Sequence, residues 1–159
     1  MAVDYFLKID SIPGESTDAK HKNEIDLQSW SWGESNAGKS DAGGGGSGKV
    51  NMQDFHFTMR INKASPKLFL ACASGQHIKE ALLTCRKAGK DQQEYLKIKF
   101  SDLLIASYQT GGSGGDEVPL EQISFNFSKI EQTYAAQKPD GTLDSPVVHN
   151  WSVKTNTGG

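Results

Sequence analysis

Period-two alternation of apolar and polar residues, one helix signature and closely spaced turn signals predict a mostly antiparallel β barrel or sandwich with a single short helix. The alternation is clearest in QDFHFTMRI, where Phe55, Phe57, Met59 and Ile61 share one face and His56, Thr58 and Arg60 take the other. A strand half buried on a core requires that division, because successive side chains point to opposite faces. The pattern returns through Leu96, Ile98 and Phe100 in YLKIKF and through Ile123, Phe125 and Phe127 in ISFNF, opposite lysines, serines and asparagine. DYFLKI, DLQSWSW, ALLTCRK and HNWSVKT supply further strands. In DLQSWSW, alternation puts Trp30 and Trp32 on one face and Ser29 and Ser31 on the other.

The helix is expected between Ser65 and Gly75. Ser65 suits the N-cap, Pro66 the first helical position, and Gly75 the left-handed stop. KPDGT, from Lys138 to Thr142, is a turn in which proline presets φ and glycine is free to take positive φ.

The chain, at 159 residues, is long enough for one core and too short for two, so a single domain over 1–159 is expected. A net charge of -2 lacks the positive footprint of a nucleic-acid binder. MAVDYFLKID lacks a basic leader and an apolar run, and no stretch is long enough to span a bilayer; a cytosolic chain without a signal peptide or membrane insertion is predicted. Cys72 and Cys85 read as two small buried thiols, and the four histidines as scattered surface residues with no metal-ligand spacing.

Two short motifs invite an enzymatic reading, and their surroundings argue against it. GESNAGKS, Gly33 to Ser40, fits the phosphate-loop pattern, with Lys39 and Ser40 in the roles of the phosphate and magnesium ligands. Such a loop needs a helix starting directly after the lysine. Here DAGGGGSGK follows, and each helical glycine costs about 0.5–1 kcal/mol relative to alanine. GGSGG places Ser113 in a G-x-S-x-G pattern, followed by Asp140 or Asp144 and then His149. A nucleophile elbow turns from strand into helix, whereas DEVPLEQISFNF leads into another strand. No catalytic residue, metal site or cofactor is expected.

The stretch from about 33 to 49 is longer than the connections usual in compact domains. Its composition suits either a floppy hairpin tip or an arm that orders only against another molecule.

GESTDAKHKNEID, SWSWG, GGGGSGKVNMQDFHF, SPKLFLACASGQH, RKAGKDQQEYLKI, GGSGGDEVPLE and YAAQKPDG, in that order, closely resemble the Hcp family, the haemolysin co-regulated proteins of bacterial type VI secretion systems. The resemblance covers essentially the whole chain and implies a fold similar to phage tail-tube proteins: a compact barrel of two antiparallel sheets with one short helix beside it. It also implies a homohexameric ring, stacking of rings into an inner tube fired by a contractile sheath, small effectors carried in the lumen, a tip spike protein as partner, and export without a signal peptide. Such a resemblance puts the SWSWG strand in the ring wall, which makes Ser31 the candidate lumen and effector contact, with Ser29 second. The arm becomes the candidate inter-ring loop, through Ser35, Asn36, Lys39, Ser40, Asp41, Gly43, Gly44, Gly45 and Gly46. The alternative is a free-standing β-barrel binding module for peptides or sugars, with Trp30, Trp32 and Trp151 as its recognition surface.

Overall fold

The computed structural model describes residues 3–38, 49–87 and 92–159. In chain order the elements are β1 (Val3–Ile9), β2 (Ile25–Asp26), β3 (Ser29–Ser31), β4 (Glu34–Asn36), β5 (Val50–Met52), β6 (Phe55–Arg60), α1 (Ser65–Ser74), β7 (His77–Lys87), β8 (Glu94–Gly111), β9 (Leu120–Tyr134), β10 (Val147–Ser152) and β11 (Thr157–Gly158). The mainly β reading with one helix therefore stands, and every pairing is antiparallel.

Two long strands, β8 and β9, form the spine. From Glu94 to Leu104 β8 pairs with β7, and from Leu96 to Gly111 it pairs with β9. In the middle, Asp102 takes a φ of 54°, and the β8–β9 register shifts between Ile105 and Ser107. A bulge of this kind bends a strand and lets one strand serve two layers. In the same way, β9 pairs with β6 through Leu120–Phe125 and with β10 through Lys129–Tyr134.

A bent segment closes the structure. Ile25 and Asp26 pair with β1, the Leu27 amide donates to the Tyr5 carbonyl, the Gln28 amide donates to the Thr58 carbonyl, and Ser29–Ser31 pair with β6. Hydrogen bonds thus run β1–β7–β8–β9–β6 and return to β1 through residues 25–31. Inside lie Phe55, Phe57, Phe100 and Phe125, with Phe55 4.8 Å from Phe100 and 5.0 Å from Phe125 between ring centroids. Aromatic rings at these separations and tilts interlock as in other close-packed cores.

The helix packs on β8 through Leu68 and Ala71 and leaves Phe69 and Leu70 more than half exposed. Gly75 takes the left-handed stop at φ 67°. Ser65 corrects the expected cap: Ala64 occupies the N-cap and Ser65 lies inside the first turn. Its hydroxyl is drawn to the buried carboxylate of Glu121, while Asn62 Oδ1 accepts the Ala64 amide at 2.8 Å. A second correction concerns Ile61, which lies past the end of β6 and is 43% exposed.

The expected 33–49 loop is ordered at its base. Glu34, Ser35 and Asn36 pair with Met52, Asn51 and Val50 as a two-stranded ribbon separate from the main sheet. The expected thiol burial holds for Cys85, whereas Cys72 is only half-buried. The KPDGT turn forms, with Gly141 at φ 90° and its amide donating to the Lys138 carbonyl at 2.9 Å.

Candidate functional site

Strands β3, β6 and β9 and the end of β8 from Ser107 onward lie side by side, and their registers align polar residues in two rows. Ser29 sits opposite Thr58, Thr58 opposite Gln122, and Gln122 opposite Gln109. In the next row Ser31 faces His56, His56 faces Ser124, and Ser124 faces Ser107. The alternation that buries Phe55 and Phe57 dictates this, because each polar residue between them must point to the other face. Hydrogen bonds tie the rows across strands, Ser29 to Thr58 at 2.6 Å and Ser107 to Ser124 at 2.5 Å between hydroxyl oxygens. A shallow depression of about 350 Å³ opens over Ser29, Ser31, Thr58 and Gln122. His56 is the one ionisable side chain among its lining residues. Such a face can exchange hydrogen bonds with a neighbour without holding it by charge.

This patch has an unpaired strand edge on each side. Among the described residues, β3 pairs only with β6, and β8 beyond Leu104 pairs only with β9. Exposed edges of this kind are ready templates for pairing with another chain.

Ser29 and Ser31 are therefore both exposed and together on the polar face, as alternation expected. Their neighbours Trp30 and Trp32 turn inward. Trp30 lies 6.1 Å from Phe55 and edge-on to Tyr5, and Trp32 lies 6.4 Å from Phe127. Ser35 and Asn36 are exposed on the ribbon, with the Gly38 amide donating to Asn36 Oδ1 at 3.0 Å. Lys39, Ser40, Asp41, Gly43, Gly44, Gly45 and Gly46 lie outside the described residues. Ser113 sits in a turn between β8 and β9, where its carbonyl accepts the Asp116 amide, so the strand-to-helix elbow is not its setting. Among the described residues, no group of three or more His, Cys, Asp or Glu is arranged to hold a metal ion.

Sequence reasoning missed two buried polar clusters. Glu121 is fully buried and accepts hydrogen bonds from the hydroxyls of Ser65 and Tyr108, joining the first turn of α1 to β8 and β9. Burial first, and the Glu121 carboxylate second, push the Tyr108 phenol up to about 12. The second cluster lies on the outer face of β1, β7 and β8. There Arg86, 2% exposed, holds Asp18 and Asp4 and sits 4.9 Å above the Phe6 ring. Beside it His21, expected at the surface, is 6% exposed and stacked on Phe6, because residues 10–24 fold back over the strands. Alternation puts Glu121 in phase with the inward Ile123 and Phe125 but does not mark its hydroxyl partners, and no spacing marks the Arg86 cluster, which depends on which segments cross in space.

The described features define an antiparallel β-barrel protein with an exposed polar face and unpaired strand edges beside it. Residues 6–134 match the family model described as "Type VI secretion system effector, Hcp". The chain is 47% identical to protein hcp1 of Pseudomonas aeruginosa, with 98% of each chain covered. Among solved structures, Hcp1 from Salmonella typhimurium superposes with a TM-score of 0.85 at 40% identity over 100% of both chains. A type VI secretion system effector from Yersinia pestis gives a TM-score of 0.78 at 36% identity, covering 94% of this chain and 99% of that one. The chain belongs to the Hcp family of type VI secretion proteins.

Proposed function

We propose that this chain is a structural tube subunit: six copies close into a ring, rings stack into an inner tube, and small secreted effectors ride in the lumen against Ser31 and Ser29. The observation that carries this reading is the neutral polar face bounded by two different free strand edges. A ring is built from head-to-tail contacts between unlike patches of identical chains, and two unlike edges on one face provide them. A channel for cargo is served by hydroxyls and amides, which wet its wall without strong grip or repulsion. The exposed Phe69 and Leu70 of α1 supply further apolar surface for burial between copies.

In this reading Ser35 and Asn36 of the ribbon, together with Lys39, Ser40 and Asp41 outside the described residues, belong to the loop that contacts the next ring. The tip spike protein and the contractile sheath are the remaining partners. Assembly takes place in the cytoplasm, export goes through the type VI machinery without a signal peptide, and the subunit needs neither catalysis nor cofactor.

Native mass measurement tests the assembly. One species near six times 17.3 kDa supports the ring, and a stable monomer at the same concentration overturns it in favour of a free-standing binding module.

A further inference from the structure

Residues 10–24 form a strap that leaves β1, folds over the outer face of the sheet and re-enters it at β2. The strap is closed on itself by backbone hydrogen bonds from Gly14 to Asn23 (2.8 Å), Asn23 to Ser16 (2.8 Å) and Ser16 to Glu24 (3.0 Å). Its fit is tight at Gly14, where a Cβ would lie 2.5 Å from the Glu24 carbonyl oxygen. Beneath it Phe6 and Thr84 are buried outside the main core.

His21 is where the strap meets the third strand in. Its ring lies flat on Phe6, with centroids 4.4 Å apart and planes 9° from parallel. Nδ1 is 2.9 Å from Glu24 Oε2, and Nε2 is 2.6 Å from Glu94 Oε1 at the start of β8. Ionised carboxylates only accept hydrogen bonds, so both ring nitrogens must donate, and a ring that donates twice carries two protons and a charge. A neutral imidazole would turn a lone pair toward one of these carboxylates.

The surrounding charges leave that role to His21. From the strap, Asp18 is committed to Arg86, and from β1 Asp4 is committed to it as well. The Arg86 cation of β7 stands on the Phe6 ring and directs both terminal nitrogens to those two carboxylates, leaving its buried Nε without a partner among the described residues. From β8, Lys97 lies 3.3 Å from the other oxygen of Glu94. Burial raises the Glu94 carboxyl, but the hydrogen bond and charge of His21, with Lys97 behind them, outweigh it and hold that carboxyl below its ordinary value.

We propose that His21 is the clasp of a pH-gated strap, latched across β1 and β7 to Glu94 while the imidazole holds both protons and unlatched when it gives one up. The sign follows from proton count: the latched state holds a proton that the open state releases, so alkalinity favours opening. Unlatching would uncover Phe6, Thr84 and the Arg86 guanidinium on the outer wall.

Amide hydrogen exchange by NMR, corrected for the intrinsic rate, tests the clasp in the full chain between about pH 5 and about pH 8. Protection of the Gly14, Ser16 and Asn23 amides should fall about tenfold across that range, while Phe125 in β9 keeps its protection. His21→Gln should remove the pH dependence from the strap. Ring ¹⁵N shifts of His21 should show both nitrogens protonated at the acid end. A neutral tautomer there, protection that stays flat in the wild type, or an equal fall in His21→Gln overturns the proposal. If His21→Gln does not fold, the ring shifts and the wild-type exchange profile decide by themselves.

Discussion

Arg86 grips Asp18 with both terminal nitrogens, Nη1 to Oδ1 at 3.0 Å and Nη2 to Oδ2 at 2.6 Å, and so ties a loop to a strand 68 residues further along the chain. Fork-to-fork geometry of this kind fixes orientation as well as distance. The Arg86 hydrogen bond, helped by the Lys20 amide, holds the Asp18 carboxyl well below the usual carboxylate range.

Arg86→Met should therefore lower stability by roughly 1–3 kcal/mol, less than the loss from breaking a fully enclosed pair, because Asp4 and Asp18 still reach water. The depressed Asp18 value also sets a direction with pH. Its contribution is complete above the ordinary value of 3.8 and fades as pH falls through the lower folded value. Thermal melts at neutral pH and in acid check both points: the gap between wild type and Arg86→Met should narrow in acid, and a constant gap contradicts it.

At the other end of the barrel, Tyr108→Phe should cost about 1–3 kcal/mol, since the fully buried Glu121 loses one of its two hydroxyl donors. The Tyr108 phenol, pushed up from 10.0 to about 12, contributes stability that is intact below 10 and is lost as pH rises through about 12. Ultraviolet titration of the tyrosines should show a late-ionising component that Tyr108→Phe removes.

Ser31→Gln should leave the fold within about 0.5 kcal/mol of wild type, because Ser31 is exposed and lies away from the core. The longer side chain alters every subunit of the proposed ring. Co-purification with a cognate effector should then yield less cargo at unchanged ring mass. Equal recovery removes Ser31 from the cargo surface, and loss of the ring identifies its strand as an interface.

Replacing residues 35–46 with a two-residue Asn-Gly turn should preserve the barrel, since the β4–β5 ribbon pairs with nothing in the main sheet. Ring stacking and secretion should drop. Normal stacking and secretion by this variant would strip the ribbon of its assigned role.

What alternation can encode was readable beforehand. Phe55, Phe57 and Met59, the inward tryptophans and the outward Ser29 and Ser31 all follow from a period of two, which fixes faces without knowing partners. Gly75 and Pro66 were legible because their backbone preferences are local. Arg86 was not, because a polar residue on an outward face is buried only if another segment crosses it, and His21 rides on that crossing segment; Glu121 shares the inward face of Ile123 and Phe125, but the two hydroxyls that satisfy it come from other elements. Ser65 went astray for the same reason: a carboxylate 56 residues away captured the hydroxyl that local rules assign to the helix end.

Strand β1 finds its full-length mate in Ala81–Lys87, with Val3 opposite Lys87. On a ribosome, which emits about 5–20 residues each second, Leu7 and Ile9 would wait several seconds for that partner, their apolar side chains bare throughout. Local encounters cannot shorten the delay, because β2, the nearer neighbour, contributes only two residues to β1. A barrel whose first strand is hydrogen-bonded so far down the chain belongs among the slow folders, on the order of milliseconds to seconds, where non-local pairing sets the pace. The newly made chain therefore keeps the apolar residues of β1 without their main strand partner until residue 87 has emerged.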